Sequence, residues 1–141
     1  MAGFTFTQLE ALPDVPTATD PGDPAWKPLQ HHLGITAFGA NVYVARQAGD
    51  ILAEQHDESA SNQEELYIVL TGRVQFSVGD ERMDGATGAL LVLRDPGLRR
   101  GARALDPGAA ILAIGCRPGC FQTSWNPHHF AGLEQHPTVR A

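Results

Sequence analysis

Apolar positions along this chain fall in short runs separated by turn residues, and their dominant period is two. Residues 73–78 (RVQFSV) alternate strictly, with Val74, Phe76 and Val78 on one face and Gln75 and Ser77 on the other. That alternation predicts a half-buried strand, and Gly79-Asp80 then turns the chain into ERMD as its hairpin partner. Upstream, 65–70 (ELYIVL) reads as a near-continuous apolar strand ending at Thr71-Gly72, and 49–56 (GDILAEQH) as a shorter one entered at Gly49-Asp50. The run 35–46 (ITAFGANVYVAR) is β-branched and aromatic and predicts a strand with a bulge near Gly39. Residues 57–63 are a polar loop. Two buried strands follow, 89–93 (ALLVL), closed by Asp95-Pro96-Gly97, and 109–115 (AAILAIG). Strands recurring roughly every 8–15 residues with turn signals between them predict an all-β sandwich or barrel.

The two ends read differently. Residues 1–34 form an arm, because Pro13, Pro16, Pro21, Pro24 and Pro28 forbid a continuous helix and remove sheet donors. This arm is expected to lie extended over the body, pinned by Trp26. Residues 35–118 make the body and 119–141 a tail, with one helical turn expected around Phe130. Composition then excludes several classes. A hydrophobic fraction of 43% over 141 residues supplies a core. A net charge of -6 argues against a nucleic-acid surface. No run reaches the length of a membrane span, and no signal peptide is visible, so a cytoplasmic protein is the expectation. Cys116 and Cys120 sit in CRPGC, where Pro-Gly can turn the sulfurs together. Reduced thiols are expected in that compartment, against a redox pair or disulfide, or a metal site shared with His128 and His129.

Candidate chemistry follows from strand geometry. Residues two apart share a face, so His56 and Glu58 point together if their strand extends that far. On the next strand Glu65, Tyr67 and Val69 share a polar face, while Leu66, Ile68 and Leu70 form an aliphatic one expected to pack between layers. If the polar faces turn into one barrel, His56, Glu58 and Glu65 converge. One imidazole and two carboxylates can hold a divalent cation or run acid/base chemistry without one. Gln63, two residues before Glu65, is a further oxygen donor. Tyr43, Tyr67 and Phe76 are candidate cavity walls.

At these residues the chain resembles the cupin superfamily. The family's first motif is matched by Gly49, His56, Glu58 and Glu65, with Gly72 closing the run ELYIVLTG. The second is matched by GALLVLRDPGLRR from Gly88 to Arg100. The resemblance implies a double-stranded β-helix of the jelly-roll type with a ligand cavity at its mouth. It also implies a metal held by two histidines, a glutamate and a further histidine. This sequence departs from that set. Glu58 stands at the second histidine, the loop before Glu65 is enlarged, and Leu98, Arg99 and Arg100 replace the last histidine. Either both arginines lie on the rim, or one, Arg100 in preference, turns inward to pair with Glu65 or Glu58 or to grip an anionic ligand.

The functional expectation is a small-molecule-binding cupin. In the first form it is a metal-dependent isomerase, cyclase or oxygenase, with His56 and Glu65 catalytic and Mn, Fe, Zn or Ni held by His56, Glu58, Glu65 and Gln63. Tyr67, Phe76, Arg100 and Tyr43 would contact substrate. The alternatives are a non-catalytic binding or sensing module with a metal-free cavity, and an interaction protein with a vestigial one. The arm and open sheet edges predict a homodimer.

Overall fold

A computed structural model describes residues 3–16, 20–122 and 125–137. Nine strands form two antiparallel sheets. One has five strands in the order β1 (Ala25–Pro28), β2 (Gly39–Val44), β9 (Ala110–Cys116), β4 (Glu64–Thr71) and β7 (Leu90–Leu93). The other has four, in the order β3 (Ile51–His56), β8 (Arg100–Ala104), β5 (Arg73–Val78) and β6 (Glu81–Ala86). The chain crosses between sheets repeatedly, which is the jelly-roll, double-stranded β-helix arrangement.

The two sheets enclose one core. Tyr67, Val69, Leu93 and Ile111 from the larger sheet meet Leu52, Val74, Phe76 and Ala102 from the smaller. Alternation sets this up as the sequence pattern requires: Val74 and Phe76 point in, at 0% and 3% exposure. Gly72, with φ 72°, turns β4 into β5 so tightly that a Cβ there would lie 2.9 Å from the Ala109 Cα.

Several expectations change. The arm does not merely lie on the body: its 25–28 segment adds β1 to the sheet edge, and Leu29–Leu33 form a single helical turn, α1, packed on β2. Proline is tolerated there because β1 is an edge strand with Pro28 at its end. Trp26 does anchor the arm, donating from Nε1 to Asn41 Oδ1 at 2.8 Å and stacking on Tyr43. The expected bulge at Gly39 is absent; β2 begins there and pairs in unbroken register with β9. The aliphatic face of β4 points away from the core rather than between layers, since Glu65, Tyr67 and Val69 hold the inward side.

β8 was not expected from the pattern. Its sequence, RGARA, lacks a large apolar residue, so it reads as loop. The expected helical turn near Phe130 is a 3-10 turn, Pro127–Phe130, started by Asn126. Calls on residues 1–2, 17–19, 123–124 and 138–141 lie outside the described residues. Cys116 and Cys120 are joined in a disulfide instead of standing as two thiols. The turn over Arg117–Cys120, with Gly119 at φ 79°, brings them together. Among the described residues neither His128 nor His129 joins a metal-ligating cluster. No helix among them is long and apolar enough to cross a membrane.

Candidate functional site

The end of β3 and the start of β4 come together across the sandwich and bring His56, Glu58 and Glu65 to one place. One donor atom from each lies within 4.8 Å of the others. β3 stops at His56, so Glu58 is not held by the strand. Its backbone N–H donates to Pro96 O at 2.8 Å, and Ser61 Oγ donates to its Oε2 at 2.5 Å. These contacts leave Oε1 facing His56 Nε2 at 3.1 Å. The enlarged loop therefore folds back and supplies the carboxylate's support.

The imidazole is fixed as firmly. His56 Nδ1 lies 2.6 Å from the Glu54 carbonyl oxygen, which can only accept, so Nδ1 carries the proton. In the neutral ring Nε2 is then an acceptor facing a carboxylate oxygen at 3.1 Å. Two acceptors at that distance repel unless a proton or a cation lies between them. Ligands on adjacent vertices around a metal, each at about 2.1 Å, lie roughly 3 Å apart. The donor set thus fits a divalent cation.

Glu65 is the most buried of the three, its side chain 11% exposed. Burial pushes its pKa up and Glu58 adds to that; a hydrogen bond with Tyr67 and the charges of Arg100 and His56 pull it down. Its Oε1 has no hydrogen-bond partner. Beneath it, Arg100 on β8 is completely buried, with Nε 3.9 Å from that oxygen. None of the three guanidinium nitrogens is hydrogen-bonded among the described residues. Strand alternation explains the choice between neighbours: Arg99 points out and donates to Gln55 O at 3.2 Å, so Arg100 points in.

A cavity of about 390 Å³ opens above the three candidate ligands. Asn41, Tyr43, Glu54, Gln63 and Tyr67 line it beside them, and Asp23 and Pro24 of the arm close one side. Gln63 reaches it because Gly115 opposite has no side chain; a Cβ there would lie 2.5 Å from Gln63 Oε1. The expected wall residues divide. Tyr43 and Tyr67 line the cavity. Phe76 and Arg100 do not. Phe76 is spent on the core, stacked on Tyr67 at 5.9 Å, and Arg100 has no surface for a ligand to touch. Asn41 and Asp23 were missed; Asn41 is legible only from its two-residue spacing to Tyr43, and Asp23 sits in the arm, where no periodicity operates.

Both phenols are held protonated. Burial, and then Glu65 and Glu58, raise Tyr43 to about 12, and burial with the Glu65 charge raises Tyr67 beyond it. The folded chain holds these protons more tightly than the unfolded one, whose phenols ionise near pH 10. Stability tied to them is complete below pH 10 and is lost as pH climbs through about 12. These are the only two tyrosines in the chain. Absorbance at the phenolate band should therefore stay flat past pH 10 in the folded protein and rise near pH 10 in urea. A native transition near pH 10 would contradict the burial argument.

No family model matches the chain, and no curated protein does. Solved structures match its fold. A cupin protein of Bacteroides fragilis is 19% identical with a TM-score of 0.66, over 96% of this chain and 99% of that one. KdgF of a Halomonas species is 17% identical with a TM-score of 0.57, over 69% and 80%. A sugar phosphate isomerase of the cupin superfamily from Silicibacter pomeroyi is 17% identical with a TM-score of 0.55, over 66% and 59%.

Proposed function

We propose that this chain, a cupin by fold, is a small-molecule enzyme whose divalent metal is held by His56, Glu58 and Glu65, with Gln63 beside them. The observation that carries the reading is the pair of acceptors, His56 Nε2 and Glu58 Oε1, facing each other at 3.1 Å on the cavity wall. The bound metal would supply Lewis acidity to a substrate oxygen. The chain's own groups set the substrate class. Asp23, Glu54, Glu58 and Glu65 line the cavity, and among the described residues no lysine or arginine does. An uncharged hydroxy-carbonyl compound suits that lining better than a free acid or a phosphate. Tyr43, protonated at neutral pH, donates to a substrate oxygen. With His56, Glu58 and Glu65 engaged as ligands and Asp23 accepting from the Asp20 backbone N–H, Glu54 is the carboxylate on the wall left to accept a proton. An isomerase-type proton shift is the reaction this set supports; a sugar phosphate isomerase and KdgF share the fold, which one barrel lends to many chemistries.

The test is metal analysis of untagged protein followed by incubation with dihydroxyacetone or fructose in D2O. One metal per chain and deuterium wash-in beside the carbonyl are expected, both abolished by EDTA. Protein that neither contains nor takes up Mn, Fe, Zn or Ni would overturn the metal reading. Stoichiometric metal with no exchange on any hydroxy-carbonyl probe would leave the non-catalytic binding module in its place.

A further inference from the structure

The outward face of the smaller sheet is polar and hollow. Alternation sends Val74, Phe76, Ala102 and Ala104 into the core, and leaves Gln75 and Ser77 of β5 and Gly101 and Arg103 of β8 on the other side. Register sets Arg103 across from Gln75, and Ser77 across from both Gly101 and Arg82 of β6. Opposed residues share a face, so two arginines, a carboxamide and a hydroxyl stand together. Gln55 of β3 joins them around a cavity of about 580 Å³.

This is more than a solvated sheet face. Ser77 points away from the core and is still only 6% exposed. The hollow exists because Gly101 has no side chain: a Cβ there would overlap Gln55 Nε2 and lie 3.2 Å from Ser77 Oγ. Gln55 reaches across the gap and donates from Nε2 to that Oγ, so the Ser77 hydroxyl keeps its own proton to give. Gln75 donates to Asp84 Oδ1 at 3.2 Å, which leaves its carbonyl oxygen as an acceptor. Arg82 is steered by Nη1, which donates to Glu81 O at 3.2 Å, and its Nη2 and Nε are uncommitted. Arg103 makes no hydrogen bond and no ion pair among the described residues. The lining thus carries two guanidinium groups against one carboxylate, Glu54, on a chain whose net charge is -6.

We propose that this cavity is a second binding site, separate from the His56, Glu58 and Glu65 centre, for a small polyhydroxylated oxyanion. Charge complementarity names the occupant. The unpaired Arg103 fork takes the carboxylate or phosphate oxygens, and Arg82 adds positive charge from the opposite wall. Ser77 donates to a ligand hydroxyl and Gln75 accepts from one. The volume is that of a small-ligand site. The first cavity, lined by four carboxylates, does not suit such a compound. Glu54 lines both cavities and opposes an anion at their shared ridge, which confines it to the Arg103 side.

Calorimetric titration of the full chain in EDTA at low salt makes the test, with gluconate, glucose 6-phosphate and glucose as probes. At least one of the two anions should saturate one site per chain with a dissociation constant of about 1 mM or lower. Gluconate alone assigns a carboxylate ligand, glucose 6-phosphate alone a phosphate, and both together the shared oxyanion. Glucose should bind at least about tenfold more weakly, and Arg103→Gln should weaken the anion by about the same factor. Arg73→Gln, whose guanidinium lies outside the lining, should not change the affinity. Amide resonances of residues 75, 77, 101 and 103 should shift on binding, and those of 56 and 65 should not. The site is rejected if neither anion saturates by about 10 mM, if glucose binds as well as they do, or if folded Arg103→Gln binds like wild type. Shifts centred on residues 56 and 65 would place the anion in the first cavity and reject it equally, whether or not the variant folds.

Discussion

Glu65→Leu should be the most destabilising single change at the site, costing about 3–5 kcal/mol in metal-free protein. The reason is the guanidinium beneath it. Arg100 is completely buried, unbonded, and faces one carboxylate at 3.9 Å. Removing that carboxylate strands a cation that cannot shed its charge, because arginine does not deprotonate in proteins. Arg100→Met should cost less, since the abandoned Glu65 can take up a proton. The pKa of Glu65 is already raised by burial, and losing the Arg100 charge raises it further. A carboxyl whose folded pKa exceeds its unfolded value favours the folded state below the unfolded pKa, near 4.5, and loses that advantage as pH rises through the folded value. The Arg100→Met penalty should therefore shrink between pH 7 and pH 4.5, whereas the Glu65→Leu penalty should persist. The double variant Arg100→Met/Glu65→Leu should regain most of the loss, as apolar replacements of buried ion pairs do. Urea melts of the four proteins in EDTA at both pH values make the test. Equal, additive and pH-independent penalties would show that the two side chains do not share their charge.

This pair also marks where sequence reading reached and where it stopped. The strands from β2 to β7, and β9, were legible because alternation and turn residues agree. His56, Glu58 and Glu65 could be brought together by counting in twos along two strands. β8 could not: RGARA has no apolar pattern, because its inward positions are filled by Ala102, Ala104 and Arg100 itself. A charged residue pointing into a core is read as a surface residue until the register of the sheet is known. Glu58 illustrates the opposite case. Its place depends on a hydrogen bond from Ser61 and on Pro96, which belong to two loops that no periodicity predicts. Arm residue Asp23 enters the cavity wall through the same kind of non-local contact. The disulfide was half legible: Pro118-Gly119 announced the turn, but oxidation state is not written in spacing.

His56→Ala should remove most of the stabilisation that metal confers. Its ring is oriented by a bond to the Glu54 backbone carbonyl, which no side-chain substitution disturbs, so Nε2 is presented ready to bind. Outer-shell changes around metal sites typically cost 10–100-fold in affinity, and loss of the sole imidazole of this set should cost at least about a hundredfold. Wild-type protein in metal at 100 times its dissociation constant gains about 2.7 kcal/mol. At the same concentration a hundredfold weaker variant gains only about 0.4 kcal/mol. For a chain of this length the difference is roughly 5–10 °C in melting temperature. The metal-free melting temperatures should differ little, because the His56 side chain is 37% exposed. His128→Ala and His136→Ala are the matched controls, since both rings lie outside the cavity lining and should retain the full metal response. Should His56→Ala keep that response, the cation binds elsewhere, and the facing acceptors at His56 and Glu58 are reconciled by a proton alone.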